Sequence, residues 1–580
     1  MNKASVEKPW LKHFSEEARK AVIPKETIYT RIRKVNAGHD RDIALNYFDN
    51  RISYGKMFRN IDATAAALEQ AGVKVGDVVS LCSATTPEMV YCVYACSKIG
   101  ATALTLDPRR KFDELKTWLL DSKTDVLIIL DLAAAQMLDQ LKSLPLKTIV
   151  VTSIDNSMPL YARVVKHFKQ PSPKVEYGGK VVPWKDFMKS GMGKESRTVG
   201  YGENEVTAIT LTGGTTGLPK GVELTDIGFN AIAVSFENCG VPYTRGKGFM
   251  DIIPVFASYG IVASLHMPLS LGLELIIFPK FNAEKVGYYM KKYRPEHTLF
   301  VPAHYEKLIH SKEMKHFDLS FFRTAGSGGD TMNIGLETEL NQFLADHGCK
   351  YKLSQGYGMS EVSSAASCYC NGNFKSQSVG YPLLTTTVAI FRPDTTEECD
   401  YNEEGEICIT GPAVMRGYYH NPEETAQVMI RHPDGQIWVH SGDLGTMDED
   451  GYIFIKGRIK RMVTRFDGHK IFPIQMENAF TEIDGIASCA VVGVQDSEHA
   501  QGMVAIAFIK LTDPSRREDV IKALSELYWK LEERGRPSDI ILLDDLPLTA
   551  MGKVHYAKLS RNYEGGRFTE DQSILKDVIN

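Results

Sequence analysis

The chain reads as an α/β protein of several packed units, and three observations predict this. Short β-branched runs alternate with helical patterns through the first half, which argues for parallel strands joined by helical crossovers. A second alternation of the same kind runs from Thr207 to about Ser376. Beyond it the pattern changes: Val379–Lys460 is β-like, with short strands between Gly, Pro and Asp turns, and the tail from about Arg461 forms a small mixed unit. At 580 residues the chain exceeds one ordinary domain. The expected fold class is α/β: a large N-terminal domain of two α/β sheet subdomains plus a β-rich subdomain, and a small α+β C-terminal domain.

Tyr54–Ala71 carries apolar residues at helical spacing and stops at Gly72. Asp77–Ser80 is a short buried strand after a turn at Gly76. Pro87–Gly100 is helical, and Ala101–Leu106 is the next strand. Asp125–Leu130 and Thr148–Thr152 are further β-branched runs. Gln170–Val199, polar and rich in Lys, Gly and Pro, reads as a connecting stretch. Ala208–Leu211 opens the second series. In the tail, Ala490–Val494 and Val504–Lys510 are strands and Arg516–Arg534 is a helix. No internal repeat interrupts this order.

Composition narrows the function classes. The chain is 43% hydrophobic and 24% charged, as soluble globular proteins are, and its net charge of -5 gives no support to nucleic-acid binding. Cys92 and Cys96, and Cys368 and Cys370, do not have zinc-site spacing, so the ten cysteines read as free thiols of a reducing compartment. The charged opening segment lacks an apolar core of about 7–15 residues and does not read as a signal peptide. No uncharged apolar run of about 18 residues occurs. Val255–Phe278 comes nearest and is interrupted by His266 and Glu274. No basic amphipathic helix stands out either, and a cytoplasmic location is expected.

Leu211–Gly221 reads LTGGTTGLPKG and follows a strand. Gly213, Gly214 and Gly217 allow backbone angles that let successive amides point at one anion. Thr212, Thr215 and Thr216 add hydroxyl donors, and Lys220 adds a cation. Pro219 before the lysine and Gly221 after it distinguish the string from the common P-loop. Gln355–Glu361 reads QGYGMSE: glycines flank Tyr357, whose ring can stack on a purine, and Glu361 offers a hard oxygen suited to Mg²⁺. Ser441-Gly442-Asp443 and Gly457-Arg458-Ile459-Lys460 supply a carboxylate able to accept from two hydroxyls and a fixed cationic fork. Leu546–His555 reads LPLTAMGKVH and places Lys553 behind the flexible Gly552.

Together these strings resemble the adenylate-forming superfamily of acyl-CoA synthetases, peptide-synthetase adenylation domains and luciferases, over about Asp42 to Leu559. The Thr-Gly-Gly-Thr-Thr-Gly version is most similar to fatty acyl-CoA synthetases, with Gly213 where the family has its first Ser. The resemblance implies that Thr212, Gly213, Gly214, Thr215, Thr216, Gly217 and Lys220 cradle ATP phosphates, with Thr216, Glu361 and Lys553 as catalytic residues and Glu361 as the metal ligand. Gly328 in Ser327-Gly328-Gly329-Asp330, with Tyr357, Gly358 and Ser360, implies the adenine and phosphate wall. Asp443 and Arg458 imply ribose recognition. A mobile C-terminal domain, residues 460–580, would pivot at Lys460 against an N-terminal domain of residues 1–459. It would present Lys553 in one pose and the loop of Gly468, beside a CoA channel, in the other. Arg461, where an acid is common, and Gln475, where Glu is usual, depart from the hinge pattern.

Phe256, Ala257, Ser258, Tyr259, Ala303 and Gly328 are the implied acyl-pocket residues. Ala257 stands where many relatives have His. The resemblance implies an acid–CoA ligase using ATP, Mg²⁺ and coenzyme A on a fatty or other apolar acid. A free carrier protein as acceptor is the alternative within the family, and a non-catalytic nucleotide-binding scaffold the alternative from another class.

Overall fold

A computed structural model describes residues 3–169, 171–212, 219–369, 372–499, 501–548 and 554–579. Two large sheets carry the first three-quarters of the chain. In the first, eight strands lie in the order Gly417–Tyr418, Gly221–Leu224, Ala208–Leu211, Thr102–Leu106, Val78–Cys82, Val126–Leu130, Thr148–Thr152 and Val181–Pro183. The six from Ala208–Leu211 onward are parallel. The second has nine strands, whose parallel centre runs through Leu353–Tyr357, Thr324–Ser327, His297–Phe300, Gly248–Asp251, Glu274–Ile277 and Ile43–Tyr47.

Parallel strands are buried on both faces, which is why Val126–Leu130 and Thr148–Thr152 read VLIIL and TIVVT. The helix Pro87–Ile99 buries all of its residues. Thr86 caps it by accepting from the Met89 amide, Pro87 occupies its first turn, and Gly100 ends it at φ +77°. The largest apolar cluster joins this helix to both sheets, through Val79 and Ala103 of one and Leu45 and Leu275 of the other.

The α/β alternation holds, with two corrections. The sheets exchange segments: Ile43–Tyr47, early in the chain, pairs with Glu274–Ile277, while Ala208–Leu211 completes the first sheet. Such pairings join segments far apart in sequence, so local pattern does not reveal them. The stretch Gln170–Val199 is also more than a connection. It contains the edge strand Val181–Pro183 and the helix Trp184–Gly191. Trp184 and Phe187 are buried against the helix Tyr54–Gln70, and a Cβ on Gly191 would lie 2.0 Å from the Ala63 carbonyl oxygen. Two aromatic anchors outweigh the surrounding polar composition.

The β-like portion is a five-stranded antiparallel sheet that includes Gly405–Thr410, Ile437–Met447 and Ile453–Arg458. The last of these runs into the turn Ile459–Arg461. The tail folds around Ile486–Gln495, Met503–Leu511 and Asp539–Leu542, with Phe480, Ile509 and Leu524 at its core. No helix among the described residues is long and apolar enough to cross a membrane.

Candidate functional site

A cavity of ≈ 1430 Å³ lies where the sheets, the β-rich unit and the tail meet. The described ends of the hairpin of Ala208–Leu211 and Gly221–Leu224, namely Leu211, Thr212, Pro219 and Lys220, line it. Thr212 and Lys220 close the connecting loop: the Thr212 amide donates to the Lys220 carbonyl (2.9 Å) and the Lys220 amide to Thr212 Oγ1 (3.0 Å). Gly213, Gly214, Thr215, Thr216 and Gly217 lie outside the described residues. Lys220 Nζ pairs with Glu424 and sits 4.8 Å from the Tyr418 ring centroid. That hydrogen bond lowers the Glu424 carboxyl below its ordinary value.

The strand Leu353–Tyr357 delivers the second string. A Cβ on Gly358 would fall 2.0 Å from the Ser364 carbonyl oxygen, so only glycine fits there. Beyond it Glu361 is buried and accepts from the Tyr418 hydroxyl at Oε1 (2.6 Å). Its second oxygen has no protein donor among the described residues. Ser360 Oγ lies 3.0 Å from Ser258 Oγ, which ties the Gln355–Glu361 string to the segment that follows Pro254.

Asp443 and Arg458 face each other across the antiparallel pair, and Arg458 Nε donates to Asp443 Oδ1 (2.7 Å). The Tyr357 hydroxyl donates to Asp443 Oδ2 (2.7 Å). Burial, then the Asp443 charge, pushes that phenol far above its ordinary range, so it stays a donor. The Asp443 charge in turn raises Arg458. The sequence suggested ring stacking for Tyr357; the structure adds a hydroxyl that fixes the Asp443 carboxylate.

A buried chain supports the turn before Asp443. The Gly442 amide donates to Glu406 Oε1 (2.8 Å), with Gly442 at φ +71°. Glu406 Oε2 meets His440 Nδ1 at 2.7 Å, and His440 Nε2 meets His432 Nε2 at 2.9 Å. A carboxylate only accepts, so His440 carries its proton on Nδ1 and its Nε2 accepts from His432 Nε2–H. His432 Nδ1 is then an unprotonated nitrogen, buried and without a partner among the described residues. Burial, and then His440, lowers the His432 pKa, which keeps that ring neutral. Cys408 Sγ also lies within 4.8 Å of the Glu406 and His440 donor atoms. The 2.7 Å Glu406–His440 contact is nevertheless a hydrogen bond, shorter than the ~3.3 Å that two zinc ligands at ~2.0 Å subtend in a tetrahedral site.

The segment expected to line the acyl pocket turns back sharply after Pro254, and a Cβ on Gly260 would lie 2.0 Å from the Pro254 carbonyl oxygen. Phe256, Ala257, Ser258 and Tyr259 all line the cavity, as does Gly328, where a Cβ would come 3.3 Å from the Tyr259 hydroxyl. Ala303 does not. The helix Pro302–Ile309 begins one residue earlier, leaving Ala303 exposed and turning His304 to the wall instead. Burial lowers His304 to about 4, so it is a neutral, largely apolar wall.

In the tail, Leu548 and Val554 form an isolated bridge, and both line the cavity. Lys553, which they bracket, lies outside the described residues. Lys460 lines the cavity too. Gly468 does not: it forms an open turn at φ +79° between Val463–Thr464 and Lys470–Ile471. Arg461 is absorbed by the tail, donating to Glu477 (2.5 Å) and lying 3.6 Å from the Tyr556 ring centroid. Tyr418, Glu424, Glu406 and the two histidines escaped the sequence reading. The available signal was MRGYYHNPEET, where two tyrosines precede an Asn-capped, Pro-started helix.

Two family models match the chain. One describes an AMP-binding enzyme and covers residues 32–419; the other, its C-terminal domain, covers 475–553. A long-chain-fatty-acid–CoA ligase of Bacillus subtilis is 28% identical over 561 residues, covering 94% of this chain and 97% of that protein. A 4-coumarate–CoA ligase of Humulus lupulus is 28% identical over 515 residues, or 87% of each. Among solved structures, ATP-bound MatB from Rhodopseudomonas palustris superposes with a TM-score of 0.78 at 22% identity, over 92% of this chain and 99% of that one. An anthranilate CoA ligase in complex with anthranoyl-AMP gives 0.78 at 19% identity, over 95% and 99%. Such identities establish the shared fold of a large N-terminal and a small C-terminal domain. The first family match alone spans more than half of the sequence, and this protein belongs to the AMP-binding enzymes of the adenylate-forming superfamily.

Proposed function

We propose that this enzyme is an ATP-dependent acid–CoA ligase acting through an acyl-adenylate, with a fatty or other apolar acid as substrate. The reading rests on one observation. A single cavity is lined both by Glu361, Tyr357, Asp443 and Arg458, the nucleotide end in this reading, and by Phe256, Tyr259, Val301 and His304, its acyl end. Charge recognition and an apolar lobe therefore meet at Ser258 and Ser360.

In this mechanism a carboxylate oxygen of the acid attacks the α-phosphorus in line, and pyrophosphate leaves. Asp443 would accept the ribose hydroxyls on lone pairs that Tyr357 and Arg458 leave open. Arg458, whose Nε is held, would direct its remaining N–H groups to the ribose or α-phosphate. Thr216, Lys220 and the amides of residues 213–217 would cradle the outer phosphates. The Glu361 carboxylate, with one oxygen fixed by Tyr418 and the other without a protein donor among the described residues, fits a Mg²⁺ ligand, and that ion when bound would neutralise phosphate charge. Lys553 would offset the repulsion between the incoming carboxylate and the α-phosphate. Charge placement rather than covalent protein chemistry would carry the barrier reduction.

For the second half-reaction, the domain of residues 460–580 would rotate about Lys460 relative to residues 1–459. The thiol of coenzyme A would then displace AMP. The cavity position of Leu548 and Val554, with Gly468 outside it, supports assignment of this arrangement to the adenylation pose. The test is AMP release measured with ATP and coenzyme A across acetate, medium- and long-chain fatty acids and aryl acids. AMP release that requires both an apolar acid and coenzyme A is expected. No AMP with any acid would overturn the reading, and release with acetate alone would overturn the apolar assignment.

A further inference from the structure

The helix Leu160–Lys169 (LYARVVKHFK) buries none of its residues. Its five large apolar side chains, Leu160, Tyr161, Val164, Val165 and Phe168, are all exposed, Leu160 at 69% and Phe168 at 84%. At 3.6 residues per turn they occupy an arc of about 140°. The opposite side faces the protein. Ala162 packs against the main core, and Lys166 pairs with Asp155 (2.9 Å) and donates to Ser172 (2.7 Å). Within the arc, the Tyr161 hydroxyl pins the helix, sharing its one hydrogen between the Phe48 carbonyl (3.0 Å) and Asp49 (2.9 Å). A surface helix of a globular protein normally turns its apolar arc inward; this one presents it to the outside.

Charge identifies the occupant. From Ser157 to Val175 there is no acidic residue, and besides Lys166, which Asp155 neutralises, the segment carries the exposed cations Arg163, Lys169 and Lys174, in a chain whose net charge is -5. A convex helix with an apolar arc and basic flanks matches an anionic lipid surface, where the arc enters the acyl boundary and the cations meet headgroups. A second copy of the chain docked on the same arc would oppose like charges. The surface also leads to the acyl lobe. Asp49 binds Lys292 (2.7 Å) on the helix Val286–Tyr293, from which Tyr288, Tyr289, Phe281 and His304 form a ladder of rings 5.3–5.6 Å apart, ending at the cavity wall.

We propose that the helix Leu160–Lys169 docks this enzyme on anionic bilayers. The amino-acid pattern does not single this helix out, because the same apolar spacing describes an ordinary core-facing helix. The proposal is tested with the full-length protein in vesicle flotation, comparing pure phosphatidylcholine with an equal mixture of phosphatidylcholine and phosphatidylglycerol. Wild type should float with the mixed vesicles, and less so as salt rises. The double variant Val164→Asp/Phe168→Asp should weaken vesicle affinity about tenfold or more. Arg163→Glu/Lys169→Glu should abolish the preference for anionic lipid. Both should retain vesicle-free AMP release from a water-soluble acid, which separates docking from the catalytic reading. Wild type that floats with neither vesicle overturns the proposal, as does undiminished flotation of both variants. Sedimentation showing a dimer that Val164→Asp/Phe168→Asp dissolves would assign the face to a second copy and overturn it too. If the aspartate variant loses vesicle-free activity, the charge-reversal variant decides.

Discussion

The two ends of the cavity are built on opposite principles. At the end proposed for the nucleotide, four of the charged groups are held by partners from other segments: Asp443 and Arg458 by each other, Asp443 also by Tyr357, Glu361 by Tyr418, and Lys220 by Glu424. At the acyl end the walls are Phe256, Tyr259, Val301 and a neutral His304, and packing sets their positions. Hydrogen bonds are directional and costly to leave half-made, so single substitutions at the first end should act strongly. Apolar burial is non-directional and additive, so the second end should respond in small steps.

The largest effect is expected at the lysine that would bring charge to the reacting centre. Lys553→Ala should reduce acid-dependent pyrophosphate exchange on the order of 10²–10³-fold, the usual worth of a preorganised electrostatic group. Thiolysis of supplied acyl-adenylate should persist. Equal loss of both half-reactions would break the assignment of this residue to the first step. Next comes Asp443→Ala, which strips the acceptor from two donors. Hydrogen bonds to charged groups contribute about 1.5–3 kcal/mol, so ATP affinity should fall roughly 10–100-fold by calorimetry while the KM for the acid stays near wild type. A matching rise in the acid KM would erase the distinction between the two ends.

Glu406 sharpens the comparison because it reaches Asp443 only through Gly442. Glu406→Ala leaves that amide unpaired and should raise the KM for ATP about tenfold. Glu406→Gln keeps an acceptor for Gly442, and kinetics should recover most of the loss. Its amide would however donate to His440 Nδ1, moving the His440 proton to Nε2 and the His432 proton to Nδ1. Ring ¹⁵N shifts should therefore report both tautomers inverted in the Gln variant. Unchanged tautomers would show that Glu406 does not set the chain.

Much of this division was visible in the sequence, and for a physical reason. The nucleotide end is made of contiguous strings, because a strand followed by a tight turn presents several polar groups to one ligand. Thr212, Tyr357, Ser360, Glu361, Asp443 and Arg458, which those strings contain, all line the cavity. Their supports were not legible, since Tyr418, Glu424 and Glu406 come from strands and helices whose pairing is long-range. The acyl end depends on which face a helix turns inward. One residue of phase separates the exposed Ala303 from His304 at the wall. The same ambiguity hid the outward arc of Leu160–Lys169, and two buried aromatics overrode the loop composition around Trp184.

The smallest steps should come from the acyl end. Each methylene buried there contributes about 0.8 kcal/mol, or roughly fourfold in kcat/KM, so a homologous series of acids should climb in even increments and then level off where the lobe ends. Ala257 sits on the acyl loop between Phe256 and Ser258, and Ala257→Phe adds a ring to that wall. The levelling point should then move to shorter acids with the slope before it unchanged, because the ring shortens the lobe without altering the transfer of each remaining methylene. His304 supplies the control. Burial holds it near 4, so it is uncharged at every pH at which the protein would be assayed, and the slope should be the same from about pH 6 to 9. A slope that changes across that range would mean an ionisable group reads the acyl chain, and the contrast between a charged end and an apolar end would no longer hold.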